Sequence, residues 1–325
     1  MQRTLVSFAL LTCVAAASAA QFHFATPAEG AAVLTADDDY LRAMSPADPA
    51  LRLKSTKPQT LAALKSAYAA DVLEWNARQR ARIDAVLGRE HAKLDALARW
   101  LPARVDFVLV TREVEGGLPH TRGTSILLPA PLIDSAEPLD SIVVHELFHV
   151  LSRNNPARRD SLYALIGFQP CRVVEPQQYA ARRITNPDAP TLAHFLPLTD
   201  DGREGLVPYL YAAGPVFDPA AGAQFVNQFR VGFLHVSVTG PSGATRCEPY
   251  AGDADPVLPL AAHKDVIDRK TGANTGYLIH PEETLADNFA LLIAGSDHRV
   301  PSPWVLEKLQ AWLEIPDSVL SSPPP

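Results

Sequence analysis

The 325 residues are enough to bury one substantial core, and 47% hydrophobic with 20% charged residues describes a globular chain whose 29 prolines promise long ordered loops. With 29 Lys+Arg against 36 Asp+Glu, a formal charge of -7 leaves no basic excess to neutralise phosphates, which argues against nucleic acid as a partner. The chain opens MQRTLVSFALLTCVAAASAAQF, with a basic Arg3, an apolar stretch from Leu5 to about Ala17 and small residues up to Ala19 and Ala20. That is the pattern of a signal peptide over residues 1–20, and its apolar run is shorter than the ~20 residues a spanning helix needs. The expectation is a secreted or periplasmic protein with no stable membrane span after cleavage. Cleavage removes Cys13 and leaves Cys171 and Cys247, an even pair predicted to form a disulfide in an oxidising compartment.

After the leader, residues 21–57 are mixed and proline-punctuated and read as a mostly irregular arm. Residues 58–325 then form the main domain. Between 59 and 101 apolar residues recur at helical spacing, predicting one long helix or a helical hairpin, with Gly88 a candidate break and His91 a solvated helix residue. VDFVLVT (105–111) and GTSILLP (123–129) are strand-like around a turn at EGG (115–117), which predicts a β-ribbon feeding a helix over 141–153. Residues 156–279 are less regular and read as a large loop-rich insertion or second lobe. HPEETLADNFALLIAG (280–295) and PSPWVLEKLQAWLEI (301–315) each place Pro in a first helical turn. The fold class is α+β. There is no internal repeat, and no apolar run after the leader is long enough to span a bilayer.

The chemistry concentrates in SIVVHELFHVLSR (141–153). On a helix Val143, Val144, Leu147, Phe148, Val150 and Leu151 share one arc, with His145, Glu146 and His149 opposite. His145 and His149 are one turn apart, so both imidazoles can reach one ion at Zn–N distances of about 2.0–2.1 Å. Glu146 sits about 100° around the helix, close enough to contact a water on that ion. Two histidines leave a tetrahedral ion short of one protein ligand, and PEETLADNFA offers it: Glu283 and Asp287 are four apart on one helix face, where two carboxylates repel unless a cation or donor lies between them. Glu282, His280 and His263 are the other candidates for that position.

HELFH resembles the H-E-x-x-H of the zincin metallopeptidases. The metzincin extension requires Gly at 152 and His at 155, where this chain has Ser152 and Asn155. The E-x-x-x-D of Glu283 and Asp287 is similar instead to the gluzincin subgroup, the thermolysin-like peptidases. That resemblance implies a zincin-like catalytic core holding one Zn2+ on His145, His149 and Glu283, with Asp287 orienting His145 and a long insertion separating His149 from Glu283. The activity it implies is hydrolysis of a peptide or protein substrate with Glu146 as general base. Tyr277 and His280, just upstream of Glu283, are candidate donors to the oxyanion, with packing or loop roles as their alternative. GTSILLP could take an extended peptide by edge addition. Three further readings stand beside this one: a zinc hydrolase acting on a non-protein substrate, a noncatalytic zincin-like scaffold of the cell envelope, and an exported binding module without metal. A closed structural site has no use for a base at Glu146.

Overall fold

The computed structural model describes residues 20–320 apart from Ser242 and Asp297, so the signal peptide expected over 1–20 lies, save for Ala20, outside the described residues. The first described element, β1 (Gln21–Phe24), is followed by the short helices α1 (Pro27–Thr35), α2 (Asp39–Ala43) and α3 (Asp48–Arg52). Residues 21–57 are therefore not the mostly irregular arm that their prolines suggest. Pro27 opens α1 where its missing N–H is an orphan anyway, and Thr26 and Glu29 bond each other's backbone in a capping box.

Two helices rather than one occupy 59–101: α4 (Leu61–Ala70) and α5 (Ala77–Ala96), with the two-residue strand β2 (Val72–Leu73) between them. The break is not at Gly88, which lies inside α5; it falls where Asn76 caps α5 by a reciprocal bond with Gln79. Strand β3 (Arg104–Val110) follows, then β4 (His120–Arg122) and β5 (Ser125–Pro129). The sheet order is β1-β3-β5-β4, with β2 also on β3. β3 and β5 run parallel, Val108 opposite Leu127, and only β4 is antiparallel to β5, so the expected ribbon is not a simple hairpin of its two long strands. Every residue of β5 is buried, as suits a strand paired on both sides.

After α6 (Ala130–Asp134) comes α7 (Asp140–Asn154), the predicted helix to within a residue at each end, then α8 (Arg159–Ala164). The insertion is more ordered than expected. It holds β6 (Gln169–Pro170), β7 (Arg172–Val173), the single turn α9 (Gln177–Ala180), β8 (His194–Pro197), β9 (Glu204–Ala212), β10 (Phe229–Thr239), β11 (Arg246–Pro249) and β12 (Val257–Pro259). These strands form a second sheet in the order β6-β8-β9-β10-β11-β7, with β12 also on β10. The predicted disulfide is present: Cys171 and Cys247, 76 residues apart, tie the strand β11 to the start of β7. Leu196, Leu206 and Phe233 of this sheet join the main core, so the insertion is packed onto the rest of the chain.

The chain ends its described part with α10 (Lys264–Thr271), α11 (Pro281–Ile293), α12 (Pro303–Leu313) and α13 (Asp317–Leu320). α11 lies against α7, with the rings of Phe148 and Phe289 at 5.5 Å between centroids in one core with Ile83, Phe107, Leu285 and Leu309. Each fully buried side chain of this size contributes about 1.5–3 kcal/mol by leaving water, which fixes the two helices in register. Among the described residues no helix is long and apolar enough to cross a membrane.

A buried ion cluster joins the first helices to the segment before β8. Arg52 Nε donates to Tyr40 Oη at 2.6 Å and to Glu115 Oε2 at 3.0 Å, Nη1 pairs with Asp48, and Nη2 donates to the Thr185 carbonyl at 2.6 Å. Tyr40 and Tyr68 donate to the remaining Glu115 oxygen.

Candidate metal centre

The packing of α7 on α11 brings the site together. Because His145 and His149 are one turn apart and Glu283 sits in the first turn of α11, all three point into the gap between the helices. His145 Nε2 is 3.2 Å and His149 Nε2 3.5 Å from the same oxygen, Glu283 Oε2. His145, His149 and Glu283 form a group whose ligand atoms could hold a metal ion. Glu146, His149 and Asp188 form a second such group sharing His149.

Each imidazole is anchored through its other nitrogen. His145 Nδ1 is 2.9 Å from Asp287 Oδ1, and Thr275 Oγ1 donates to the other Asp287 oxygen. His149 Nδ1 is 3.1 Å from Glu282 Oε1, while Ser152 and Tyr163 donate their hydroxyls to Glu282 Oε2. A carboxylate on Nδ1 holds the proton there and turns the Nε2 lone pair toward Glu283. His149 Nε2 is buried and has no hydrogen-bond partner among the described residues. An orphaned acceptor facing a carboxylate is costly unless a cation lies between them. Glu146 is held from the sheet side, where Thr121 Oγ1 of β4 donates to its Oε2 at 2.9 Å. Asn186 Nδ2 donates to Glu283 Oε1 at 2.5 Å and fixes the other oxygen of that carboxylate.

The electrostatics point the same way. Five carboxyl groups, Glu146, Asp188, Glu282, Glu283 and Asp287, surround two imidazoles. Burial disfavours the His145 cation, yet hydrogen bonds to Asp287 and Glu283 raise its pKa to about 10. His149 is likewise raised well above the ordinary histidine value against the effect of burial, by Asp188, Glu283 and Glu282. Burial opposes ionisation of Glu283, but the two histidines hold its pKa well below the usual range. Glu146 is pushed up by burial, with both histidines pulling it back. The gap between α7 and α11 therefore favours positive charge, whether as protons on imidazole or as a metal ion.

Not every candidate residue converges here. His280 caps α11: its Nδ1 accepts the Glu282 N–H at 3.0 Å, and burial keeps it neutral with a pKa near 4. Tyr277 is beside His145, with ring centroids 6.3 Å apart, and at 41% exposure it stands at the rim. His263 lies before α10 near His235, and His91 is exposed on α5. The edge-addition idea needs correction. β5 has neighbours on both sides, the free edge belongs to β4, and its Thr121 N–H already donates to Asp188 Oδ1 at 2.6 Å.

Sequence reasoning missed Asp188, Asn186 and Thr121, and it read Glu282 only as a rival ligand. No local pattern marks the first three, because they reach the site through pairing and loop packing; Glu282 could have been read as the partner of His149, being the neighbour of a ligand in a first helical turn. Comparison with protein-family models, curated proteins and solved structures finds no match for this chain.

Proposed function

We propose that this chain is a zinc-dependent peptidase with a gluzincin-like site, in which His145, His149 and Glu283 hold one Zn2+ and Glu146 is the general base. The observation that carries the reading is the spacing of the donors. Ligand atoms about 2.0–2.1 Å from a tetrahedral ion lie about 3.4 Å apart, and Glu283 Oε2 is 3.2 and 3.5 Å from the two Nε2 atoms. The unpartnered His149 Nε2 and the carboxylates behind both imidazoles support it further.

When bound, zinc supplies a Lewis acid for the scissile carbonyl and lowers the pKa of water toward 7. Glu146 would take the water proton and return it to the leaving amine, and Thr121 fixes its orientation. Tyr277, whose phenol keeps its proton at neutral pH, is the donor best situated for the oxyanion. The substrate is a peptide or protein met outside the cytoplasm, after loss of residues 1–20.

One observation favours the noncatalytic metal-binding alternative. The chain's own Asp188 occupies the β4 edge that an extended peptide would otherwise pair with. Cleavage of a peptide library with and without chelator, with Glu146→Gln as control, separates the two readings. Glu146-dependent, zinc-dependent hydrolysis supports the enzyme, and bound zinc with no cleavage supports the scaffold.

A further inference from the structure

We infer that the cavity between β4, the C-terminal turn of α7 and the 187–191 segment is a carboxylate-binding subsite for the peptide substrate, a reading that rests on the function proposed above. The cavity measures about 400 Å³ and is lined by Arg122, Arg153, Arg159, Asp188, His194 and His280. That volume takes one side chain together with its terminal group.

Arg42 and the acids Asp38 and Asp39 also line it, so four arginines face three aspartates. The Arg122 side chain is only 1% exposed; its Nε pairs with Asp38 Oδ2 at 2.5 Å, but Nη1 and Nη2 have no partner among the described residues. Among the described residues Arg153 donates to backbone carbonyls alone, those of Gly123, Pro187 and Asp188. Arg159 donates from Nε to Ser152 Oγ at 3.2 Å and makes no ion pair among the described residues; the nearby Glu282 is already bonded by His149, Ser152 and Tyr163. The other acids at the rim are engaged as well. Asp38 accepts from Leu41 N and Arg122, Asp39 pairs with Arg42, and Asp188 accepts from Thr121 N.

Arg122 is sealed beneath the wall, its guanidinium over the Tyr40 ring at 4.7 Å, and adds positive potential; Arg159, with Arg153 beside it, is the group whose forked geometry a carboxylate can meet with two charge-assisted bonds. In a chain of net charge -7, two arginines on one cavity wall without an ion pair among the described residues, Arg153 and Arg159, are a place for an anionic ligand. The cavity also adjoins the metal centre. Arg122 follows Thr121, which holds Glu146; Asp188 belongs to both places; and Tyr163, on the cavity wall, bonds the Glu282 that anchors His149. A peptide bond presented to Glu146 would therefore bring a neighbouring residue to the arginines.

The carboxylate could be an acidic side chain or the C-terminus of the peptide. Isothermal titration of the zinc-reconstituted Glu146→Gln protein with acetyl-Ala-Ala-Ala-Glu and acetyl-Ala-Ala-Ala-Gln, each as free acid and as amide, distinguishes them. The charged member of one pair should bind about tenfold tighter or more, and the pair that shows the gain names the source. Arg159→Met should bring that ratio toward one. Equal affinity of all four peptides within twofold overturns the subsite, and does so without the variant, should Arg159→Met not fold. Selective binding without cleavage by the unsubstituted protein keeps the subsite and removes the hydrolase reading; equal cleavage of all four does the reverse.

Discussion

Two clusters of buried charge in this molecule are built in opposite ways. Around Arg52 every guanidinium nitrogen finds an acceptor, Glu115 receives Tyr40, Tyr68 and Arg52, and the cluster closes on itself. Between α7 and α11 the carboxylates are braced from behind by Asn186, Ser152, Tyr163 and Thr275, yet His149 Nε2 is left without a partner at the point where the donors meet. A closed network holds a fold together and binds nothing. An open one, braced everywhere except at its centre, is preorganised for a cation. The contrast separates a closed ion cluster from a candidate binding site, whose His145 and Asp287 keep some exposure.

The largest effect should come from the group that the open site leaves for chemistry. Glu146→Gln is expected to lower peptide hydrolysis about 10²–10⁴-fold while zinc content stays at the unsubstituted level, read by initial rates and elemental analysis. Loss of zinc in this variant would make Glu146 a ligand rather than a base. In the closed cluster, Glu115→Ala leaves Arg52 with Asp48 as its one remaining carboxylate and takes the carboxylate acceptor from its Nε, from Tyr40 and from Tyr68, which should remove about 3 kcal/mol of stability in urea unfolding, with zinc per folded chain unchanged. A stability loss under 1 kcal/mol would mean the cluster is not structural.

Asp287→Asn tests the bracing itself. It should weaken zinc binding about 10–100-fold in a chelator competition, because His145 loses the carboxylate that fixes its tautomer. The effect confined to acidic solution comes last. Burial lowers His120 and His280 to pKa values near 4, against an unfolded value of about 6.5. The unfolded chain then binds more protons between those limits, so this stabilisation is complete above pH 6.5 and is lost as pH falls toward 4. His280→Gln should flatten that part of the stability curve, measured at constant metal content; an unchanged slope would show that His280 is not buried in its neutral form.

Elements defined by local periodicity were legible from the residues alone. The apolar arc of 141–153 specifies α7, and Pro281 with the stripe of Leu285 and Phe289 specifies α11, so two histidines and two carboxylates could be assigned to facing helices. The Cys171–Cys247 pair was readable by simple count. What depends on distant partners was not. β3 and β5 pair in parallel because β1 and β4 take their outer sides, an arrangement no turn signal encodes. In residues 21–57 proline was weighed as a breaker, although TPAE carries a complete capping box with Pro in the first turn. Glu282 and Glu283 are sequence neighbours about 100° apart on one helix, and only the position of α7 assigns one to Nδ1 and the other to Nε2.

The proposed site has α7 and α11 together holding one zinc ion through His145, His149 and Glu283. Its most direct test is zinc stoichiometry of the purified chain after chelator stripping and reconstitution, beside His149→Ala. One zinc per chain in the unsubstituted protein and less than a tenth of that in His149→Ala is the predicted result. No zinc in the former, or full zinc in the latter, would contradict the account.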